Sequence, residues 1–157
     1  MEENSGKEKS KGILYGIGTV IVLIVVVALA GAIGTEVTKE VIDSIETSNG
    51  IPNSLLTEAA SELNKLSPYM VDSETRFDNS IGINNSMIYN YTLINYGPGE
   101  IEPSLIREEL KPKTRNITCS SPQMDTFRKY SVLLVYNYYD NTGSLITSFD
   151  VDLGSCS

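Results

Sequence analysis

The chain has 157 residues, with 12 lysines and arginines against 20 aspartates and glutamates, a net charge of −8, and no histidine. Such an acidic surface repels phosphate backbones, so the composition argues against nucleic-acid binding. The lack of histidine excludes Ser-His-Asp and Cys-His catalytic arrangements, and zinc sites built on imidazole. Because the sequence also has no standard glycine-rich phosphate loop, we expect no cofactor and no metal.

An apolar run without any charged residue covers residues 12–35. A helix needs about 20 apolar residues to cross a bilayer, so this run predicts a transmembrane helix and contact with lipid. Lys7, Lys9 and Lys11 precede it. The positive-inside rule therefore places residues 1–11 in the cytoplasm as a short tail, and everything after residue 35 on the other side of the membrane.

A cleaved signal peptide is the competing interpretation of the same run. Residues 28–30 (Ala-Leu-Ala) before Gly31 form a small-residue cleavage site, and cleavage after Ala30 would release a secreted factor. The apolar stretch before that site exceeds the roughly 7–15 residues of an ordinary signal peptide, which favours an uncleaved anchor. Gly12 and Gly16 have the spacing that lets two spanning helices approach, so a homo-oligomer through the membrane helix stays open.

Residues 36–52 follow the run with Val37, Val41 and Ile45 at helical spacing between charged residues, which predicts a helical stalk. The remaining residues, 53–157, are enough for one modest domain. This domain begins with a predicted helix over residues 53–65, with Asn53 or Ser54 as its cap.

The pattern then changes to that of β-strands. A short strand is predicted around Thr75 and Phe77, with a turn at residues 79–82. The next strand covers residues 87–96, where Tyr89, Tyr91 and Leu93 share one face. The clearest unit is a hairpin with strands at residues 131–140 and 144–153 and a turn at 141–143.

Two helices lie between those strands in sequence. Pro103 is favourable in the first turn of the first, and Pro112 is expected to end or kink it near Leu110. The second is short and carries Met124 and Phe127. The sequence therefore predicts an α+β domain with an antiparallel sheet of about four strands and helices packed on one face. We expect the strand tyrosines to pack as cross-strand pairs, with an exposed aromatic recognition surface as the alternative.

Cys119 and Cys156 both follow the membrane segment. Outside the cytosol such a pair normally forms a disulfide, and the wide spacing favours a structural bond over a redox centre.

The densest polar cluster consists of Asp72, Glu74, Arg76 and Asp78, which alternation along a strand would place on one side of the sheet. A solvated strand surface is the simplest interpretation of this cluster, and a binding patch is the functional one. A paired-carboxylate hydrolase is the weakest alternative. Asp140, Asp150 and Asp152 lack the dense spacing of a calcium loop, so we assign them turn and surface roles.

Four blocks of this sequence occur in a characteristic order: residues 68–78, residues 89–96, Cys119 with Pro122 and Met124, and residues 136–140 followed by Gly143 and Cys156. Together they resemble a family of small bacterial envelope or secreted proteins related to a quorum-sensing-regulated virulence factor of pseudomonads. The resemblance covers roughly residues 60–156 and implies an α+β domain with a disulfide and no assigned enzymatic reaction. It offers no catalytic residues for this chain.

The prediction is thus a single-pass protein of the bacterial inner membrane, with a cytoplasmic N-terminus and a periplasmic domain. We expect a binding or accessory module for another envelope component, not an enzyme. A pilin-like subunit is an alternative, but residues 12–16 offer neither the processing site nor the early glutamate that such subunits use.

Overall fold

The computed structural model describes residues 50–156. The predicted cytoplasmic tail, the membrane helix and nearly all of the stalk lie outside the described residues. Within residues 50–156, no helix has the length and apolar character needed to cross a bilayer.

Three helices and five strands make up the described region. In chain order they are α1 (Asn53–Asn64), β1 (Tyr69–Met70), β2 (Thr75–Ile83), β3 (Ser86–Leu93), α2 (Pro103–Ser120), α3 (Asp125–Lys129), β4 (Leu133–Tyr139) and β5 (Leu145–Asp152). Short 3-10 turns precede α3 (Pro122–Met124) and follow β5 (Leu153–Ser155).

The five strands form one sheet in the order β1-β2-β3-β4-β5. This confirms the α+β class and corrects the strand count, because β1 adds a short edge. It also corrects the antiparallel topology, since β3 and β4 are parallel while the other neighbouring pairs are antiparallel. A parallel pair needs a long crossover, and the segment carrying α2 and α3 provides it.

The predicted turn at residues 79–82 is wrong. Strand β2 continues to Ile83, and the chain reverses at Asn84 and Asn85, whose φ angles are 50° and 56°. Asparagine tolerates these left-handed angles better than most residues, which suits a tight hairpin. Strand β3 then ends at Leu93, three residues before the predicted end.

The predicted cap of α1 is also wrong. Pro52 occupies the cap position without a side-chain hydrogen bond. Asn53 Oδ1 instead accepts a hydrogen bond from the backbone N–H of Asn84 at 3.0 Å. The asparagine therefore ties the start of α1 to the β2–β3 turn.

Helix α2 passes through Pro112 and continues to Ser120, so of the two expected effects of this proline, an end or a kink near Leu110, the end is wrong. Proline removes one helical N–H donor, which leaves the carbonyl of Glu108 without that partner. Pro112 lies on the exposed side of the helix, whereas Leu110 and Thr114 are buried against the sheet. Packing on the buried side offsets the loss of one hydrogen bond.

Aromatic rings fill the centre of the core. Tyr89 stacks on Tyr136 with ring centroids 5.1 Å apart, and Tyr91 stacks on Tyr138 at 5.4 Å. Phe149 of β5 stacks on Tyr136 and Tyr138 of β4. These four tyrosines are at most 1% exposed, which confirms the cross-strand packing and removes them from any exposed recognition surface.

Helix α1 covers the outer edge of β2. The Asn64 amide bonds the backbone of Ser80 twice, accepting from its N–H at 2.7 Å and donating to its carbonyl at 2.8 Å. At Gly82, an added Cβ would lie 2.1 Å from the carbonyl oxygen of Leu56. The side-chain amide thus takes the place of a neighbouring strand, and the glycine lets the helix approach.

The predicted disulfide between Cys119 and Cys156 is confirmed, with a Cα–Cα distance of 5.4 Å. It joins the last turn of α2 to the end of the described chain. The guanidinium of Arg115 adds two hydrogen bonds to Ser155, at 2.8 Å to its hydroxyl and 2.6 Å to its carbonyl.

Replacing both cysteines by serine should lower the free energy of unfolding by roughly 4 kcal/mol, because the bond closes a long loop in the unfolded chain. Urea unfolding of the oxidised protein and the double serine variant measures the difference. Chemical reduction of the wild type is the matched control and should give the same midpoint as the variant. A variant as stable as the oxidised protein would contradict this role.

Burial raises the pKa values of Tyr89, Tyr91, Tyr136 and Tyr138 well above their ordinary value. Above about pH 10 the unfolded chain therefore releases phenolic protons that the folded protein retains. The free energy of unfolding then falls by about 1.4 kcal/mol per tyrosine for each further pH unit. Below that pH the phenols are protonated in both states, so tyrosine ionisation takes nothing from the free energy of unfolding.

Urea midpoints measured across this alkaline range test the expectation. The Tyr91 hydroxyl has no hydrogen-bond partner within residues 50–156, so Tyr91→Phe should cost little at neutral pH. The same variant should lose stability less steeply with pH than the wild type. Equal slopes for both proteins would show that Tyr91 does not contribute.

Candidate functional site

The helices and the sheet share one core, and the side chains on the opposite side of the sheet face away from it. We call this surface the open face. Its members are related by strand register or by alternation with the buried residues, and they are Met70, Arg76, Asp78, Asn79, Ile81, Ile83, Ile88, Asn90, Thr92, Leu133, Val135, Asn137, Tyr139, Leu145, Ser148 and Asp150. Among the described residues, no helix packs on it.

An amide row crosses the middle of the open face. Asn79, Asn90 and Asn137 are aligned by register on three neighbouring strands. Asn90 donates its side-chain N–H to the Oδ1 of Asn79 at 2.7 Å, and Asn137 donates to the Oδ1 of Asn90 at 2.9 Å. The bonds fix the three amides relative to one another, and the end groups keep donors or acceptors for a ligand.

An apolar row lies beside the amide row, toward the β2–β3 turn. Ile81, Ile88 and Val135 are aligned by register, and Ile83 and Leu133 extend the patch. Ile81 is 48% exposed and Ile83 is 46% exposed. Contiguous apolar side chains rimmed by polar ones are typical of interaction surfaces.

A charged group occupies the other end of the open face. Arg76 Nε lies 2.5 Å from Asp78 Oδ1, and the hydroxyl of Thr92 donates to Asp78 Oδ2 at 2.5 Å. Alternation places Asp78 on the same side as Arg76, and the bulge of β2 between Phe77 and Asn79 brings Asn79 to that side as well. Two of the four residues in the predicted polar cluster therefore lie together on the open face.

Asp72 and Glu74 precede β2 and do not lie in the strand, so alternation does not apply to them. Asp72 Oδ1 accepts hydrogen bonds from the backbone N–H groups of Glu74 and Thr75, both at 2.8 Å. Its other oxygen is buried, without a hydrogen-bond partner among the described residues. This geometry makes Asp72 a turn-forming residue at the entrance to β2.

Glu74 accepts a hydrogen bond from the hydroxyl of Tyr96 at 3.0 Å. Burial and this bond raise the pKa of Tyr96 to about 12. The carboxylates of Asp72, Glu74 and Asp78 therefore each have their own partners: a turn, a tyrosine and an arginine. That arrangement gives no support to a paired-carboxylate hydrolase, which needs two carboxyl groups facing one substrate bond.

Asp140 forms the turn between β4 and β5, as predicted. Its Oδ1 accepts hydrogen bonds from the Thr142 hydroxyl and from the backbone N–H groups of Thr142 and Ser144. These bonds, led by the one from the hydroxyl, lower the pKa of Asp140. Asp150 and Asp152 lie exposed on β5.

The sequence predictions missed the amide and apolar rows. The signal was present, because the asparagines and isoleucines alternate with buried residues along each strand. Only the strand order brings them together, since Asn79 and Asn137 belong to strands separated by the α2 crossover.

A shallow cavity of about 310 Å³ lies beside the disulfide. It is lined by Pro112, Arg115, Asn116, Cys119 and Cys156.

No protein-family model matches the sequence, and no characterised protein matches it at a significant level. Three solved structures are similar in fold. A Pseudomonas aeruginosa protein inferred to be secreted has a TM-score of 0.58 at 16% identity, with 67% of this chain and 92% of that chain covered.

The other two are pilotins of type II secretion systems. EpsS of Vibrio vulnificus has a TM-score of 0.53 at 12% identity, covering 76% of this chain and 98% of that chain. AspS of Vibrio cholerae has a TM-score of 0.50 at 12% identity, covering 66% and 91%. At these identities the likeness establishes a shared fold. That one of the three is a pseudomonad protein inferred to be secreted agrees with the resemblance to small envelope or secreted proteins.

If Asp72 forms the turn, Asp72→Ala should lower the free energy of unfolding by about 1–2 kcal/mol through the loss of two hydrogen bonds. Asp72→Asn is the matched control, because it keeps the accepting oxygen and should cost much less. Urea unfolding measures both. An alanine variant as stable as the wild type would show that the turn does not depend on this carboxylate.

Proposed function

We propose that this protein is an accessory module of the bacterial envelope that holds another envelope protein on its open face and catalyses no reaction. The observation that carries the proposal is the composition of that face. Fixed amides lie between an apolar patch and a charged group, all presented by rigid strands. Surfaces of this kind suit protein partners, because apolar side chains supply affinity and fixed polar groups supply orientation.

The fold neighbours support an accessory role. Two of them are pilotins of type II secretion systems. We therefore propose that the partner is a component of a secretion or envelope assembly. The core aromatics are fully used in packing, so the isoleucines of the open face are the better candidates for anchoring the partner.

The apolar run at residues 12–35 supports a position at the inner membrane, with the described domain in the periplasm. The domain would then meet its partner while tethered, which raises its local concentration. Release after Ala30 would give the same domain as a soluble binder.

Photocrosslinking in living cells tests the assignment of the surface. A photoreactive residue at Ile81 should crosslink to one protein of defined mass, and the Ile83→Asp change should abolish that product, because it places a charge in the apolar patch. Leu66 is the matched control site, since it is 81% exposed but lies in the loop between α1 and β1, off the open face. Crosslinks from Leu66 but not from Ile81 would refute the proposal.

A further inference from the structure

The outer edge of β5 carries unpaired backbone groups. The N–H of Leu153 donates to the carbonyl of Val132 at 3.2 Å, whereas the N–H of Leu133 donates away from β5, to the carbonyl of Asn85. Val132 and Leu153 are therefore at a position where β4 and β5 bond to each other, and Leu133 and Asp152 are not. Such pairs alternate along a ladder, so every second residue of β5 bonds to β4 and the ones between point outward. The amides of Ser148 and Asp150 therefore point outward, and no turn, loop or side-chain hydrogen bond joins them to another described residue.

Three cations of α2 lie along this edge. Arg107, Lys111 and Arg115 are spaced four residues apart, so they share one flank of the helix. We call them the basic ridge. They contact the β5 hairpin and its C-terminal extension at successive points: Arg107 donates to the Thr147 hydroxyl at 2.7 Å, Lys111 Nζ lies 3.6 Å from Asp150 Oδ1, and Arg115 bonds Ser155.

The ridge stands out against the charge of the whole chain. The protein carries a net charge of −8, so a line of cations beside a free strand edge is a local region of opposite charge. The contact between Lys111 and Asp150 is exposed, and an exposed ion pair of this kind contributes little to stability. Lys111 can therefore exchange Asp150 for another carboxylate at little cost.

The spacing of the ridge fits an added strand. Four residues of helix rise about 6 Å, and two residues of strand rise about 6.6 Å. In a strand paired to β5, every second side chain would face the helix side of the sheet. Acidic side chains at those alternate positions would each meet one cation of the ridge.

We infer that the β5 edge and the basic ridge form a docking site for an extended, acidic segment of a partner protein, which adds to the sheet as a sixth strand. Backbone hydrogen bonds to Ser148 and Asp150 supply affinity, and the ridge selects segments with carboxylates at alternate positions. The cavity lined by Arg115, Asn116 and the disulfide lies at the end of this track and receives the end of the segment. The side chains of Ser148 and Asp150 belong to the open face, but this site uses their backbone groups and the cations on the helix side of β5, so the inference does not rest on the proposed function.

Synthetic peptides of eight residues, the length of β5, test the inference on the full chain in mild detergent with its disulfide intact. A peptide alternating Glu with Thr should bind, and the same peptide with Lys in place of Glu should not. Fluorescence anisotropy measures the affinity. Absence of binding by the Glu peptide at up to about 1 mM, or equal binding of both peptides, would overturn the inference.

Variants on α2 separate the ridge from general attraction. Lys111→Glu should weaken binding of the Glu peptide about fivefold or more, because it removes one attraction and adds a repulsion. Lys113→Glu is the matched control: the charge change is the same, but Lys113 lies on the other flank of α2, where it pairs with Glu109. Equal loss in both variants would overturn the ridge as the selecting element.

Amide hydrogen exchange identifies the backbone contact. Saturation with the Glu peptide should slow exchange at Ser148 and Asp150, because their N–H groups become hydrogen-bonded. Ser148→Pro removes one of these donors at an outward position, where a strand edge tolerates proline, and should weaken binding. Peptide binding with unchanged exchange at both residues would overturn strand addition.

Discussion

Aromatic stacking across the parallel pair β3–β4 is the interaction on which the other features depend. Tyr89 and Tyr91 lie against Tyr136 and Tyr138 in exact register, and Phe149 extends the layer to β5. Each ring buries a large apolar area, and the layer joins strands that are far apart in sequence. A slip of one residue would turn every ring toward solvent, so the layer also sets the register of the open face.

The register of the core determines what lies on the other side of the sheet. Because side chains alternate, the same alignment that stacks the tyrosines brings Asn90 next to Asn137 and Ile88 next to Val135. The amide and apolar rows are thus a consequence of core packing. The open face is rigid for the same reason, since its residues belong to strands held by the buried layer.

The two sides of the sheet differ in how their outer backbone groups are protected. On one side, β1 pairs with the start of β2, and helix α1 covers the rest of the β2 edge, where Asn64 bonds the backbone of Ser80 and Gly82 allows close contact. The β5 edge keeps its outward amides and has the cations of α2 beside it. Edge strands are prone to pairing with other chains, and proteins commonly cover or charge them. Here one edge is covered by a helix and the other is bordered by charge.

The sequence alone determined the α+β class, the disulfide, the helix after Pro103, the terminal hairpin and the packing of the tyrosines, because local periodicity and composition carry these features. It could not locate the β2–β3 turn, because Asn79 and Asn84 are both good turn residues and only the pairing with β3 distinguishes them. The short β1 and the parallel pair depend on contacts between distant segments. Only the tertiary structure showed that Asp72 and Glu74 lie apart from Arg76 and Asp78. Strand β2 begins at Thr75, and the alternation of side chains applies only within the strand. It also assembled the open face and the basic ridge, because both surfaces combine residues that only strand order and helix packing bring together.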